Sequence, residues 1–184
     1  RMGQVLVCEG RLDEAGPVLD GAIASARARG LRVALKIGLR YRTFVHYWQT
    51  EYQATETACV EALSLATEMG DGFYALAVRM FLGLARANLG RISEALDDFS
   101  DAISLARRND DRYWQPRLVS HLGWIHRATL QMKQVEMIGG VHYERITPEG
   151  LFVTYGEKRE NGQLIACDTI VLCAGQEPQR ELLA

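Results

Sequence analysis

The sequence predicts a mainly α-helical chain: a solenoid of antiparallel helix pairs over residues 1–130, then a small β-rich segment over 131–184. Two observations carry this. The first part repeats itself at a period of forty residues, with Gly3, Gly83 and Gly123 at multiples of forty from one another. A fixed period between 20 and 50 residues is the mark of stacked supersecondary units. The composition also changes near residue 130, from Ala, Leu and Arg, which favour helix, to Val, Ile, Tyr and Thr between Gly-Gly, Pro-Glu-Gly and Asn-Gly breaks.

The repeat can be followed residue by residue. Gly10-Arg11-Leu12-Asp13-Glu14-Ala15 returns eighty residues on as Gly90-Arg91-Ile92-Ser93-Glu94-Ala95. Ala22-Ile23-Ala24-Ser25-Ala26-Arg27 returns as Ala102-Ile103-Ser104-Leu105-Ala106-Arg107, with Ala62-Leu63-Ser64-Leu65-Ala66-Thr67 between them. Each copy is followed by a breaker, Gly30, Gly70 or Asp110. Within the third period, Phe73, Leu76, Ala77, Met80, Phe81 and Leu84 step at i, i+3, i+4 and predict a first helix. Gly90 closes it, because a residue without Cβ adopts the left-handed conformation at low cost. Ile92, Ala95, Leu96, Phe99, Ile103 and Ala106 form the stripe of a second helix. No pair buries its stripe alone, so stacked neighbours must create the core.

The helix pairs, with Leu-Gly-Arg-x-x-Glu-Ala at the turn (Leu89 to Ala95), resemble tetratricopeptide (TPR) repeats. The forty-residue length and Leu-Gly-Trp-Ile-His-Arg (Leu122 to Arg127) resemble the long variant found in bacterial signalling ATPases and regulators. The resemblance covers residues 1–130. It implies an adaptor whose concave face, lined mainly by first helices, holds a peptide or partner protein. The first repeat begins inside its first helix and the fourth has no second helix, so the stretch reads as a segment of a longer array.

Charge narrows the classes of partner. The chain of 184 residues carries a net charge of −2 and a pI near 6.1, which argues against a dedicated nucleic-acid or membrane-surface binder. No apolar run approaches the roughly 18 residues of a membrane helix. Cys8, Cys59, Cys167 and Cys173 form no CxxC pair or framework, so reduced thiols and a cytoplasmic location are expected.

One stretch could serve partner binding. From Gly21 to Thr50 there is no acidic residue, while Arg32, Lys36 and Arg40 follow at spacings of four and form one helical ridge. Such a ridge would favour an acidic peptide or a C-terminal carboxylate. The alternative is a solvated face paired with acidic second helices. Tyr41, Phe44, Tyr47 and Trp48 could likewise be an aromatic platform for a ligand, or packing between repeats. The partner-binding candidates are therefore Arg32, Lys36, Arg40 and Tyr47. His46, His121 and His126 lack a metal-ligand partner at i+4 and read as structural, and no catalytic constellation appears in residues 1–130.

Beyond residue 134 the periodicity changes. Val135–Ile138 is a short strand candidate before Gly139-Gly140; Val141–Ile146 and Leu151–Tyr155 flank the turn Thr147-Pro148-Glu149-Gly150. Asn161-Gly162 is a hairpin signal, with Gln163–Cys167 as the returning strand. Thr169–Ala174 reads as a strand buried on both faces and ending at Gly175.

The runs 123–130, Val135–Val141, Tyr143–Ile146 and Asp-Thr-Ile-Val-Leu-Cys-Ala-Gly-Gln-Glu-Pro (168–178) resemble bacterial NADPH-dependent 2,4-dienoyl-CoA reductase. The resemblance implies a piece of an α/β nucleotide-binding domain, in which Ala174, Gly175 and Gln176 would lie beside FAD or NADPH. The chain has no GxGxxG loop, no cysteine cluster and no catalytic barrel, so no complete reductase and no bound cofactor are expected of it alone. Gly123–Arg127 fits both resemblances, as it would in a fusion spliced at a shared segment. Strands separated from their parent sheet would leave an apolar edge open to self-association.

Overall fold

The computed structural model describes residues 2–171. They form two compact units, a helical one up to Gln134 and a β one from Val135. The helical unit contains α1 (Met2–Cys8), α2 (Leu12–Ala28), α3 (Arg32–Trp48), α4 (Tyr52–Glu68), α5 (Gly72–Asn88), α6 (Ile92–Arg108) and α7 (Trp114–Met132). Seven helices packed in succession make a repeat-like, solenoid arrangement among the described residues. The regularity is finer than the forty-residue period suggests. Each of α2 to α6 is 17 residues long, and they begin twenty residues apart.

The turns explain that spacing. A residue with positive φ stands at each of Gly10, Gly30, Thr50, Gly70, Gly90 and Asp110. The amide after it donates back across six residues to a helix carbonyl, as in Leu31 N to Ala26 O and Asp111 N to Ala106 O, both 2.9 Å. This is the Schellman closure, which satisfies the last carbonyls and redirects the chain within two residues. Glycine takes the left-handed conformation freely. Thr50, β-branched at φ 61°, holds it under strain. Asp71 and Asp111 open the following helices, their Oδ1 accepting from Tyr74 N and Trp114 N at 3.0 and 2.9 Å.

Core packing follows the period too. On a first helix, position 3 and its equivalents 43 and 83 face positions 19, 59 and 99 of the second helix. A Cβ on Gly3 would lie 2.7 Å from Leu19, and one on Gly83 would lie 2.6 Å from Phe99. In the middle repeat the sizes exchange: Thr43 meets Cys59, with Oγ1 and Sγ 4.0 Å apart. A small residue faces a large one, or two medium residues meet, so the space is filled each time. Gly123 holds the same position on α7, and nothing lies within 4 Å of its missing Cβ.

The β unit is an antiparallel meander of β1 (Val141–Thr147), β2 (Gly150–Tyr155) and β3 (Glu160–Ala166), in the order β1-β2-β3. Three expectations are corrected here. Val135–Ile138 forms no strand, and Thr169–Val171 forms none either, with Val171 exposed. The rest of that expected strand lies outside the described residues. The β2–β3 turn falls at Gly156–Arg159, not at Asn161-Gly162. Asn161 lies inside β3 with φ 56°, where the register slips between Val153↔Gln163 and Tyr155↔Glu160. Its tolerance of positive φ serves a bulge in the strand, not the hairpin turn.

Two stability predictions follow from the turns and the seam. Thr50→Gly should relieve the left-handed strain and raise stability by about 1 kcal/mol. Gly83→Ala should cost about 1–3 kcal/mol by overpacking against Phe99, whereas Gly123→Ala should be neutral or slightly stabilising. Thermal unfolding followed by far-UV circular dichroism checks all three signs.

Candidate partner-binding face

Successive helices pack against each other, and the odd helices also touch across the repeats: α1 with α3, α3 with α5, and α5 with α7. No such contact joins α2 to α4 or α4 to α6. The odd helices therefore crowd together on the inner side of the unit, and the even helices splay on the outer side. The inner layer is where equivalent side chains of consecutive repeats come within reach of one another.

A groove of about 510 Å³ opens across that layer, lined by Phe44, Tyr47 and Trp48 of α3, Met80, Phe81 and Leu84 of α5, and Ser120, His121 and Trp124 of α7. These are mostly the same few positions seen in successive repeats. Phe44, Leu84 and Trp124 are separated by forty; so are Met80 and Ser120, and Phe81 and His121. Phe44, Tyr47 and Phe81 pack edge-on, with ring centroids 5.8 Å (Phe44–Phe81) and 5.5 Å (Tyr47–Phe81) apart. This fixes the groove floor. Trp48 and Trp124 stand at its two sides, 59% and 53% exposed, whereas the third tryptophan, Trp114, is 5% exposed. His121 lies flat on Phe99 and donates its Nδ1–H to Arg117 O at 2.7 Å, which orients the ring.

Tyr47 contacts Trp48, Tyr52 and Phe81, and it also lines the groove. Its half-burial raises the phenol pKa above the ordinary value. The cationic ridge is largely engaged within the fold. Arg32 is ion-paired with Glu68 and Lys36 with Asp71. Lys36 is 8% exposed, its ammonium 5.1 Å from the centre of the Tyr74 ring, and its carbonyl accepts from the Tyr74 hydroxyl. The Lys36 hydrogen bond holds the Asp71 carboxyl below its ordinary pKa. Arg40 is half-buried, 5.8 Å from the Tyr41 ring centre, and has no carboxylate within ion-pair distance among the described residues. Ala174, Gly175 and Gln176 lie outside the described residues.

A second network ties the layers together. Glu56 of α4 accepts from Arg86 Nε at 3.0 Å and Arg91 Nη1 at 2.6 Å, while Asp98 of α6 accepts from Arg86 Nη1 at 2.8 Å. Burial opposes ionisation of Glu56, but the two arginines prevail and hold its pKa below the ordinary 4.5. At Asp98, burial wins over Arg86 and the pKa is raised. Buried pairs of this kind hold a geometry more than they add stability, because desolvation offsets the attraction.

Sequence reasoning located Phe44, Tyr47 and Trp48 but not the other six lining residues. The signal was present in the forty-residue equivalence of 44, 84 and 124. Among the described residues, no group of histidines, cysteines and carboxylates could hold a metal ion. No helix among them is long and apolar enough to cross a membrane. Compared with models of known protein families, the chain matches none.

The depressed Glu56 carboxyl contributes stability above about pH 4.5, and that contribution is lost as pH falls through its lowered folded-state value. Glu56→Gln should cost about 1–3 kcal/mol at neutral pH, since Arg86 and Arg91 lose a charged acceptor. It should also flatten the acid limb of a stability-against-pH curve measured by urea unfolding.

Proposed function

We propose that the helical unit is a protein-interaction scaffold that holds a peptide or a segment of a partner protein on its inner layer, as TPR arrays do. The observation that carries this reading is the groove across α3, α5 and α7, apolar on its floor and flanked by two exposed tryptophans. Large exposed aromatic side chains around a concave apolar surface are what hot spots of binding are made from. The constant helix length, the Schellman turns and the packed helix pairs support a TPR-like identity for residues 1–130. The reductase reading, with its dinucleotide contacts at Ala174, Gly175 and Gln176, rests on sequence likeness alone.

Selecting a random displayed-peptide library on the purified chain tests the scaffold reading. Enriched peptides should bind, and Trp48→Ser combined with Trp124→Ser should weaken them at least about tenfold, with the helical melting curve unchanged. Peptides that bind the double variant equally well, or a selection without enrichment, would contradict it.

A further inference from the structure

The groove across α3, α5 and α7 has two properties that restrict what can fill it. The first is its charge. No aspartate, glutamate, lysine or arginine is among its lining residues. The cations of α3 lie elsewhere: Lys36 and Arg40 line a separate depression with Asp71 and Tyr74, where the Lys36 hydrogen bond, and after it the charge of Arg40, hold the Asp71 carboxyl down. A charged segment entering the groove would lose water without meeting a counter-charge, a cost that an uncharged segment avoids. Trp48 and Trp124 offer indole N–H groups and Ser120 a hydroxyl, so the lining is well supplied with donors. It suits a backbone with carbonyls to spare and few N–H groups of its own.

The second property is its period. Phe44, Leu84 and Trp124 are one position seen in three consecutive repeats. Because α3 touches α5 and α5 touches α7, equivalent side chains recur across the groove at the spacing of packed helices, about 9 Å. A segment that meets each repeat alike must return a side chain to the same face at that interval. A β-strand does so after two residues, at about 6.6 Å, or after four, at about 13 Å. An α-helix does so after seven residues, at about 10.5 Å, and drifts by about 20° around its axis. A polyproline II helix has three residues per turn and a rise of about 3.1 Å, so every third residue returns at about 9 Å. Only the last is commensurate with the repeats. Proline favours that conformation, has no N–H to leave unpaired, and leaves the carbonyls of the segment free for the donors of the groove.

We propose that the groove binds an uncharged, proline-rich segment of a partner protein in the polyproline II conformation, with a proline at every third position (Pro-x-x-Pro-x-x-Pro), one for each repeat. The prolines lie along the column Phe44, Leu84 and Trp124, and the carbonyls between them face the donors of Trp48, Ser120 and Trp124. The inference rests on the scaffold reading and adds the composition and conformation of the occupant. Aromatic-lined grooves receive such segments well, because the helix is formed before binding and has little freedom left to lose. The Schellman turns set the pitch of the receptor, since equal helix lengths keep the column level from one repeat to the next.

The probe is the synthetic peptide Ac-Gly-Pro-Ala-Gln-Pro-Ala-Gln-Pro-Ala-Gly-amide, titrated into the whole chain and read by tryptophan emission, since Trp48 and Trp124 are exposed and Trp114 is buried. Binding should shift the emission to the blue and shield it from acrylamide, and added salt should leave the affinity unchanged. The isomer Ac-Gly-Ala-Gln-Pro-Ala-Pro-Gln-Pro-Ala-Gly-amide has the same composition with its prolines two apart, and should bind at least about tenfold more weakly. Glycine in place of the alanines between prolines loosens the polyproline II helix and should also weaken binding. By calorimetry, Trp124→Ser should cost at least about tenfold in affinity while Trp124→Phe, which keeps a ring, retains most of it, both with an unaltered helical circular-dichroism signal. Equal binding of the two isomers, or no binding of either, overturns the proposal. So does binding that is lost at high salt, or an emission shift that grows with protein concentration alone, which would assign the groove to a second copy. If library-selected peptides lack the three-residue proline period yet still need Trp48 and Trp124, this proposal fails and the scaffold reading stands.

Discussion

The left-handed residue that closes a helix every twenty positions is the constraint on which the helical unit depends. From Gly10 to Asp110 it recurs without a slip, and it forces each helix to the same length and each reversal to the same shape. Equal lengths keep equivalent positions level with one another across repeats. That in turn lets position 3 of each pair face position 19, and lets positions 44, 84 and 124 share one surface. One residue more within any helix would rotate the side chains that follow it by about 100° and carry its polar face toward the core. The glycines supply this geometry cheaply at four of the six turns; Thr50 and Asp110 supply it at a cost that the packing around them must cover.

Level repeats also explain how charge and apolar surface come to be separated. The odd helices touch their neighbours two elements away, and their charged side chains are all basic. The even helices carry every helical carboxylate, so ion pairs such as Arg32–Glu68, Arg42–Asp20 and Arg79–Asp101 join one layer to the other. Arg86 shows how the layers are joined: it reaches from α5 to Glu56 on one side and Asp98 on the other, both nearly buried. Removing one member of that trio leaves a charge without its partner in a poorly solvated place, which is why such networks fix a geometry even when they add little net stability.

Much of the helical architecture was legible in the sequence because its information is periodic. Gly-Arg-x-x-Glu-Ala and the Ala-rich second helices mark the pairs, and Gly83 already signals a close helix approach. The ridge Arg32, Lys36, Arg40 was legible as a line of charge, with pairing to acidic second helices as one of its two readings; which carboxylates pair was not, because Glu68 and Asp71 come from the end of one helix and the start of another. The groove was half legible. Phe44, Tyr47 and Trp48 cluster in one segment, while Trp124 joins them only through the stacking of three repeats. In the β unit, Asn161-Gly162 has the composition of a tight turn, but pairing of Tyr155 with Glu160 moves the turn to Gly156–Arg159 and leaves Asn161 at a bulge. Short strands carry little periodic information, so local signals there are readily overridden by pairing.

The most direct measurement is a crystal structure of the chain with a library-selected peptide bound. A peptide lying across α3, α5 and α7, with its apolar side chains between Trp48 and Trp124, is the predicted result. A peptide seated on α2, α4 and α6, or on the β unit with the inner layer empty, would contradict the central claim that the level stacking of first helices builds the binding surface.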